Sequence, residues 1–226
     1  MHLPRHFALI PAAGVGARMG ADCPKQYLLL AGEPMLRHTV AAFLNTPLIA
    51  HTFVVVSEDD PFIDEVIGKL AGVTVLRCGG ATRKDSVLNG LHSLCDLVAA
   101  DDWILVHDAA RPCMTPALIA KLIDAIGDNP VGGLLALPVV DTVKRVTAGR
   151  VQTVPRDDLW LAQTPQMFRY ALLARALREA AQVTDEASAI EAIGFTPLLV
   201  EGHACNLKVT QPADISMAEL FLSVQS

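Results

Sequence analysis

Short apolar runs alternate with amphipathic stretches through the first 140 residues. Runs of four to eight apolar residues predict buried strands, and apolar positions three or four apart predict helices. The predicted strands are 7–10, 52–56, 73–76, 103–106 and 133–140. The predicted helices are a segment from Pro34 that stops before Pro47, 61–70, a segment covering 87–98, and 116–126 with Thr115 as its cap. This alternation predicts an α/β fold with a single doubly wound, mostly parallel sheet.

The pattern changes between residues 141 and 163, where polar and apolar positions alternate and no long apolar face exists. Such a segment predicts a hairpin or arm that does not pack on its own sheet and that reaches a partner subunit. Helices are predicted again at 170–181, at 185–193 with Thr184 as cap, and at 213–224, with strands at 197–200 and around 207–209. We expect one domain over residues 1–226, with 141–163 as a protruding β-arm for dimerisation.

Composition and charge narrow the class of protein. The 226 residues are 52% hydrophobic and 19% charged, which excludes a disordered chain. The net charge of -6 argues against a nucleic-acid partner. Five cysteines without a C-x-x-C pair indicate reduced thiols in a cytoplasmic protein. We expect no membrane association, because no apolar run approaches the ~18 residues of a membrane span.

The loop after the first predicted strand has the composition of a phosphate-binding loop. Small residues such as Gly14 and Gly16 let backbone N–H groups approach a ligand, and Arg18 and Lys25 add positive charge nearby. The alternative is a tight turn followed by two solvated basic residues. The P-loop string is absent, and Gly20 falls one position late for the dinucleotide-binding fingerprint.

Two more polar strings follow predicted strands, and the carboxyl ends of parallel strands share one edge of a sheet. Residues 79–86 offer glycines for close backbone contact with a ligand and the Ser86 hydroxyl, although a plain turn fits equally well. Asp108 is placed to hold a sugar hydroxyl or a divalent metal ion, and Arg111 to bind a phosphate. The alternative is that these two residues pair with each other. We interpret His107 as structural.

Lys208 alternates with apolar neighbours in the predicted last strand. Its side chain is therefore either solvated on the outer side of the sheet or directed into the cleft. Gathered around one cleft, the cations indicate transfer at phosphorus, a reaction that needs alignment and charge neutralisation more than a protein nucleophile.

Taken together, these strings resemble the family of 2-C-methyl-D-erythritol 4-phosphate cytidylyltransferases of the non-mevalonate isoprenoid pathway. The resemblance covers about residues 8–216 in the family's order. It is carried by the strings AAGVGARMG, PKQY, GGATRKDSV, VHDAARP, DTVKR, PRDDLWLAQTPQMF, VTDEAS and GHACNLKVTQPADI. It implies a Rossmann-like nucleotidyltransferase fold, CTP and a polyol phosphate as substrates, Mg²⁺ as cofactor and a homodimer.

The resemblance also implies a role for individual residues. The CTP-binding residues would be Ala12, Ala13, Gly14, Gly16, Gly80, Ser86, Asp108 and Ala109, with Asp108 also near the metal ion. Arg18, Lys25 and Lys208 would be the catalytic cations. Arg111, Thr142, Arg156 and Thr164 would bind the methylerythritol phosphate, with Arg156 serving the site of the neighbouring subunit.

Other functions remain open on the sequence. A ribitol 5-phosphate cytidylyltransferase would keep the chemistry and change the acceptor. An NAD(P)-dependent dehydrogenase is opposed by the late Gly20, and a non-catalytic nucleotide sensor by the presence of both Lys25 and Lys208. Some relatives carry a fused cyclodiphosphate synthase, and because this sequence ends at Ser226 we expect a monofunctional enzyme.

Overall fold

A computed structural model describes residues 3–14 and 23–225 of the chain. In chain order its strands are β1 (His6–Pro11), β2 (Leu29–Leu30), β3 (Glu33–Pro34), β4 (Ile49–Val55), β5 (Val73–Leu76), β6 (Trp103–Val106), β7 (Gly132–Pro138), β8 (Val143–Thr147), β9 (Arg150–Val154), β10 (Trp160–Arg169) and β11 (Leu198–Glu201). Its α-helices are α1 (Met35–Leu44), α2 (Ile63–Val66), α3 (Arg83–Ser93), α4 (Pro116–Ile126), α5 (Tyr170–Glu179), α6 (Glu186–Ala192) and α7 (Ala213–Gln225), and Lys25–Tyr27 form a short 3₁₀ turn.

Seven strands form a central sheet in the order β11-β7-β10-β6-β1-β4-β5. All neighbouring pairs are parallel except those made by β10, which runs antiparallel to both β6 and β7. The mostly parallel α/β sheet is therefore confirmed. The strand β10 was not predicted, and it lies near the middle of the sheet. Its register shifts between Ala162 and Gln166, which places a bulge beside the end of β6.

Helices cover both faces of the sheet, as the doubly wound prediction requires. Alternate residues of β1 point to opposite sides, so that Ile10 belongs to one core cluster and Leu9 to the other. The first cluster includes residues of α1 and α4, and the second includes residues of α3, α5 and α6. The sheet is thus buried on both faces, and its strand ends are left to line a cleft.

Two of the predicted elements are wrong. The helix predicted at 61–70 is only the single turn α2, because Gly68, two residues after its end, takes a left-handed φ of 54°. The strand predicted around 207–209 is an irregular segment whose Val209 N–H donates to the Ala110 carbonyl, a bond to a loop instead of a ladder. The cap of α6 also differs: Asp185, not Thr184, forms a capping box with Ser188.

The predicted arm contains a two-stranded hairpin of β8 and β9, apart from the central sheet. Its two-residue turn, Ala148 and Gly149, has positive φ at both positions, as a type I′ turn requires. Val146 and Val151 pair across the strands and are each about two-thirds exposed. The last residues of the predicted arm, 160–163, belong to β10 instead, and 160–162 pair with β7.

None of the helices in the described ranges is both long and apolar enough to cross a membrane.

Candidate active site

A cleft of about 530 Å³ opens at the carboxyl ends of β1 and β6. Segments far apart in sequence meet there. β1 and β6, which precede two of them, are parallel neighbours, and β5, which precedes the third, runs parallel to them on the far side of β4. The cleft is lined by Pro11, Ala12, Ala13, Gly14, Lys25, Gln26, Gly80, Ala81, Thr82, Arg83, Ser86, Asp108, Ala109, Ala110 and Lys208. The three strings singled out in the sequence therefore converge, together with both predicted lysines.

Asp108 is the central charged group of the cleft. Its Oδ2 lies 2.7 Å from the Lys208 ammonium, and its Oδ1 lies 2.9 Å from Arg83 Nε. Burial opposes ionisation of Asp108, but Arg83 and Lys208 outweigh it and hold the pKa of this carboxyl well below its usual range. The simple Asp108–Arg111 ion pair, the alternative left open by the sequence, is not the main side-chain contact, since Asp108 Oδ2 and Arg111 Nε are 3.8 Å apart.

Lys208 therefore points into the cleft, and not to the outer side of the sheet. Nothing in the alternation of apolar residues around it decided between these directions. The neighbouring Val209 carbonyl accepts a hydrogen bond of 2.7 Å from Lys25 Nζ, which brings the two lysines to one side of the cleft. Two ammonium groups at one wall of a cleft are suited to bind a polyphosphate.

The first residues of the loop after β1, 12–14, are held by their neighbours. Gln26 Nε2 donates to the Ala12 carbonyl at 2.6 Å, and the Ala12 N–H donates to Val55 at 2.7 Å. A Cβ on Gly79 would lie 2.4 Å from the Ala13 Cβ, so the two glycine-containing loops can approach only because that side chain is missing. The predicted residues Gly16 and Arg18 lie outside the described residues.

The second loop is held by Ser86, which is buried at the start of α3. Its hydroxyl accepts from the Gly80 N–H at 3.0 Å and donates to the Thr82 carbonyl at 3.0 Å. Thr82 and Asp85 form the capping box of the helix. Gly80 and Ser86 thus line the cleft, while the serine proton is already used within the loop.

Thr164 and His107 lie beneath the loop that carries Asp108. The Thr164 hydroxyl accepts from the Asp108 N–H at 3.1 Å and lies 3.0 Å from His107 Nδ1, and His107 Nε2 lies 3.2 Å from the Arg111 carbonyl. Because a carbonyl only accepts, Nε2 carries the imidazole proton and Nδ1 accepts from Thr164. Burial lowers the pKa of His107 to about 4, which agrees with a structural, neutral imidazole.

The four residues expected to contact the acceptor do not line the cleft. Arg111 is buried behind it and donates from Nη1 to the Asn206 carbonyl at 2.6 Å. Thr164 is buried beneath the Asp108 loop. Thr142 and Arg156 are exposed on either side of the hairpin, where Arg156 donates to the Val140 carbonyl. A single chain therefore does not bring all four together at the cleft.

Two residues of the site, Arg83 and Glu186, were not predicted. Glu186 opens α6 and is only 1% exposed, and its two oxygens lie 2.7 and 3.0 Å from the two Nη atoms of Arg83. Burial opposes the charge of the guanidinium, but Glu186 and Asp108 outweigh it and raise the pKa of Arg83. Arg83 lay within a string that had been singled out, whereas an acidic residue in a first helical turn gives no local sign of burial.

The acidic residues of the site limit what cation it can hold. Among residues 3–14 and 23–225, no cluster of three or more His, Cys, Asp or Glu side chains could bind a metal ion. Within that part of the chain, Asp108 is the one carboxylate lining the cleft. A single carboxylate fits Mg²⁺, which is usually bound by one or two carboxylates together with substrate phosphates and water, and does not fit a metal centre built from protein ligands alone.

Three comparisons with known proteins agree with this chemistry. The IspD family model, 2-C-methyl-D-erythritol 4-phosphate cytidylyltransferase, matches residues 6–224. The 2-C-methyl-D-erythritol 4-phosphate cytidylyltransferase of Dechloromonas aromatica is 52% identical over 224 residues, covering 97% of this chain and 98% of the relative.

Two solved structures are similar over nearly the whole chain. A crystal structure of 4-diphosphocytidyl-2C-methyl-D-erythritol synthase has a TM-score of 0.88 and 43% sequence identity, covering 98% of this chain and 100% of that one. The crystal structure of the Francisella tularensis 2-C-methyl-D-erythritol 4-phosphate cytidylyltransferase has a TM-score of 0.82 and 36% identity, covering 96% and 99%. The likeness therefore extends over sequence and fold together.

Proposed function

Because this chain belongs to the family of 2-C-methyl-D-erythritol 4-phosphate cytidylyltransferases, we propose that the cleft between β1 and β6 is its active site. The enzyme transfers a cytidylyl group from CTP to 2-C-methyl-D-erythritol 4-phosphate. An oxygen of the acceptor phosphate forms a bond to the α-phosphorus, and the bond from that phosphorus to the oxygen bridging to the β-phosphate breaks. The products are 4-diphosphocytidyl-2-C-methyl-D-erythritol and pyrophosphate.

The convergence of Lys25, Lys208 and Arg83 on one cleft is the observation that carries this proposal. Negative charge grows on the phosphoryl oxygens in such a transfer, and positioned cations neutralise it without any covalent step by the protein. Lys25 and Lys208 stabilise the pentavalent α-phosphorus in our assignment. The resemblance places Arg18, which lies outside the described residues, at the CTP site among the catalytic cations.

The nucleotide occupies the two glycine-containing loops in this proposal. Ala12, Ala13 and Gly14 line the cleft with backbone and small side chains, and we place the triphosphate there together with Gly16. The cytosine is assigned to the loop of Gly80 and Ser86, and the ribose to Asp108 and Ala109. These assignments are supported by the close approach of the two loops at Gly79 and Ala13.

We further propose that Mg²⁺ assists, with Asp108 as the residue that would hold it. A bound Mg²⁺ would neutralise charge on the triphosphate and orient it. The Asp108 oxygens are 2.7 Å from Lys208 and 2.9 Å from Arg83, so these cations must share the carboxylate with the ion or move onto the phosphates. Lys208 is free to do so, because its side chain is 43% exposed.

The acceptor site is proposed to require a second subunit. The proposed contacts of methylerythritol phosphate are Arg111, Thr142, Arg156 and Thr164. Two of them, Thr142 and Arg156, flank the hairpin, are exposed and do not line the cleft of their own chain. The apolar residues Val146 and Val151 are exposed on the same hairpin. A homodimer in which Arg156 of one protomer serves the cleft of its partner accounts for both facts.

We propose a cytoplasmic location because the cysteines are reduced thiols. None of the five, all of which lie in the described part of the chain, forms a disulfide. Burial also raises the pKa of the Cys113 thiol to about 12, which makes this thiol unreactive. Reduced cysteines of this kind are typical of proteins in a reducing compartment.

The reaction is tested by measuring pyrophosphate release from CTP and Mg²⁺ with each of two acceptors. We expect release with 2-C-methyl-D-erythritol 4-phosphate and little with ribitol 5-phosphate. Turnover with ribitol 5-phosphate alone would replace the proposed acceptor. Binding of NADPH in a fluorescence titration together with no pyrophosphate release would replace the reaction class.

The shared site is tested by mixing two inactive variants. Arg156→Ala and Lys208→Ala homodimers should each be weak, whereas subunit exchange creates dimers with one cleft in which both residues are intact. Activity that rises after mixing supports the shared site. Mixed dimers, verified by a tag on one variant, that are no more active than their parents would exclude it.

A further inference from the structure

Glu186 is a buried carboxylate that the proposed chemistry does not use. It is 1% exposed, does not line the cleft and faces the far end of the Arg83 guanidinium. A buried charge is unfavourable unless it is paired and hydrogen-bonded, and here both oxygens are paired with the same arginine. Such an arrangement fixes the orientation of the guanidinium plane.

The first turn of α6 holds Glu186 in place from both sides. Gln166, on β10, donates from Nε2 to Asp185 Oδ2 at 2.8 Å, and its Oε1 accepts from the Ala187 N–H at 2.7 Å. Ser188 closes the capping box through its own N–H to Asp185 Oδ1 at 2.9 Å. The carboxylate is thus carried on a turn bonded to the sheet, and not on a loose loop.

Arg83 transmits this position to the cleft. Its two Nη atoms bind Glu186, and its Nε, 2.9 Å from Asp108 Oδ1, is the part that meets the cleft carboxylate. Asp108 is then left to face Lys208 through Oδ2. Without Glu186, the planar fork would be free to turn both Nη atoms onto Asp108 or onto a bound phosphate.

We propose that Glu186 is a positioning residue for CTP binding, acting through Arg83. It keeps the guanidinium edge-on to Asp108, so that this carboxylate and Lys208 stay arranged for the nucleotide. The inference rests on the proposed function, because it assumes that CTP occupies the cleft. It concerns a residue outside the cleft, so its failure can be separated from the failure of that function.

The test is calorimetric titration of CTP and Mg²⁺ into Glu186→Gln, which keeps the side-chain size and removes the charge. We expect the affinity for CTP to fall about tenfold or more, as for other residues that orient a ligand-binding group. In steady-state assays the KM for CTP should rise by a similar factor, while the KM for the acceptor stays within about twofold of wild type.

Two controls separate positioning from loss of structure. Ser188→Ala removes one hydroxyl of the α6 capping box but keeps the residue-188 N–H bond to Asp185 and both Gln166 bonds that hold the turn of Glu186. It should therefore lower the unfolding midpoint without weakening the affinity for CTP. Glu179→Gln makes the same chemical change in an exposed ion pair, where Glu179 Oε1 lies 3.4 Å from Arg175 Nε. It should leave the affinity for CTP unchanged.

A double-mutant comparison tests the path through Arg83. In an Arg83→Lys background the ammonium has no plane to orient, so adding Glu186→Gln should change the CTP affinity by at most about twofold. An equal effect of Glu186→Gln in both backgrounds would overturn the proposal, as would wild-type CTP affinity in Glu186→Gln or an equal loss in Ser188→Ala.

Failure of the wild-type protein to bind CTP would instead reject the proposed function.

If Glu186→Gln does not fold, Glu186→Asp gives the same comparison, because it keeps the charge and withdraws the carboxylate by one methylene. Glu186→Asp should lower the affinity for CTP about threefold or more. Unchanged affinity in that variant would also overturn the proposal.

Discussion

Strand β6 has a buried aspartate near each end, and the two are held in different ways. Asp102, before the strand, is fully buried and accepts from the backbone N–H groups of Arg5 at 2.7 Å and Ala99 at 2.9 Å, and from Arg5 Nη2 at 2.9 Å. Asp108, after the strand, is held mainly by the side chains of Arg83 and Lys208. The Asp102 carboxylate is therefore held by two backbone donors as well as by Arg5, whereas the Asp108 carboxylate is held by side-chain cations.

The difference lies in which partners a ligand could displace. Burial opposes ionisation of Asp102, but the backbone hydrogen bonds from Arg5 and Ala99 outweigh it and lower the pKa of this carboxyl. Those donors cannot leave without unfolding the segment. The side-chain cations around Asp108 can move onto a phosphate, so the carboxyl end of the strand is suited to function and the amino end to stability.

The largest expected effect is loss of the cations on the functional side. Lys208→Ala and Lys25→Ala should each lower kcat by about 10²-fold or more, because each removes positive charge from the transition state. The measurement is pyrophosphate release at saturating CTP and acceptor. A wild-type kcat in either variant would show that its lysine does not act on the reacting phosphorus.

Asp108→Asn removes the carboxylate that those cations share. We expect kcat/KM for CTP to fall by about 10²-fold, since Lys208 and Arg83 lose the group that aligns them. The fold should persist, because Arg83 keeps its pairing with Glu186. Circular dichroism and the unfolding midpoint serve as controls, and full activity in a folded Asp108→Asn protein would contradict the assignment of this end of β6.

The same substitution at the other end of the strand should do the opposite. Asp102→Asn turns an acceptor that receives backbone hydrogen bonds into an amide that satisfies fewer of them, so the free energy of unfolding should fall by about 1–3 kcal/mol. Urea denaturation measures this loss. At 25 °C the kcat of the folded variant should stay within about twofold of wild type. A marked drop in kcat would show that Asp102 also serves catalysis and would contradict the proposed difference between the two aspartates.

The smallest effect is the pH dependence that Asp102 contributes. Its pKa is lower in the folded protein than the value of about 3.9 for an unfolded chain, so its stabilisation is present above that value and is lost as the pH falls through the folded pKa. Urea unfolding of the wild type at pH 5, 4 and 3 should show decreasing stability. The decrease should be shallower in Asp102→Asn, and identical slopes would contradict the contribution of this carboxyl.

The sequence alone determined the elements that have local signals. The predicted strands 73–76 and 103–106 and the helix 116–126 match β5, β6 and α4 residue for residue. A compact apolar run defines such a strand, and a Thr cap followed by proline defines the start of such a helix. Because the predicted strands are parallel, the sequence also determined that the polar loops following them meet at one edge of the sheet.

Tertiary structure alone decided how the parts of the site face each other. The insertion of β10 between β6 and β7 brings Thr164 beneath Asp108. This strand was not predicted, because Pro165 interrupts its strand pattern. Arg83 and Glu186 are 103 positions apart, and Lys208 could point to either side of its segment. Periodicity reports which face of an element is buried, but a charge pair across the fold depends on how whole elements pack, which no local pattern encodes.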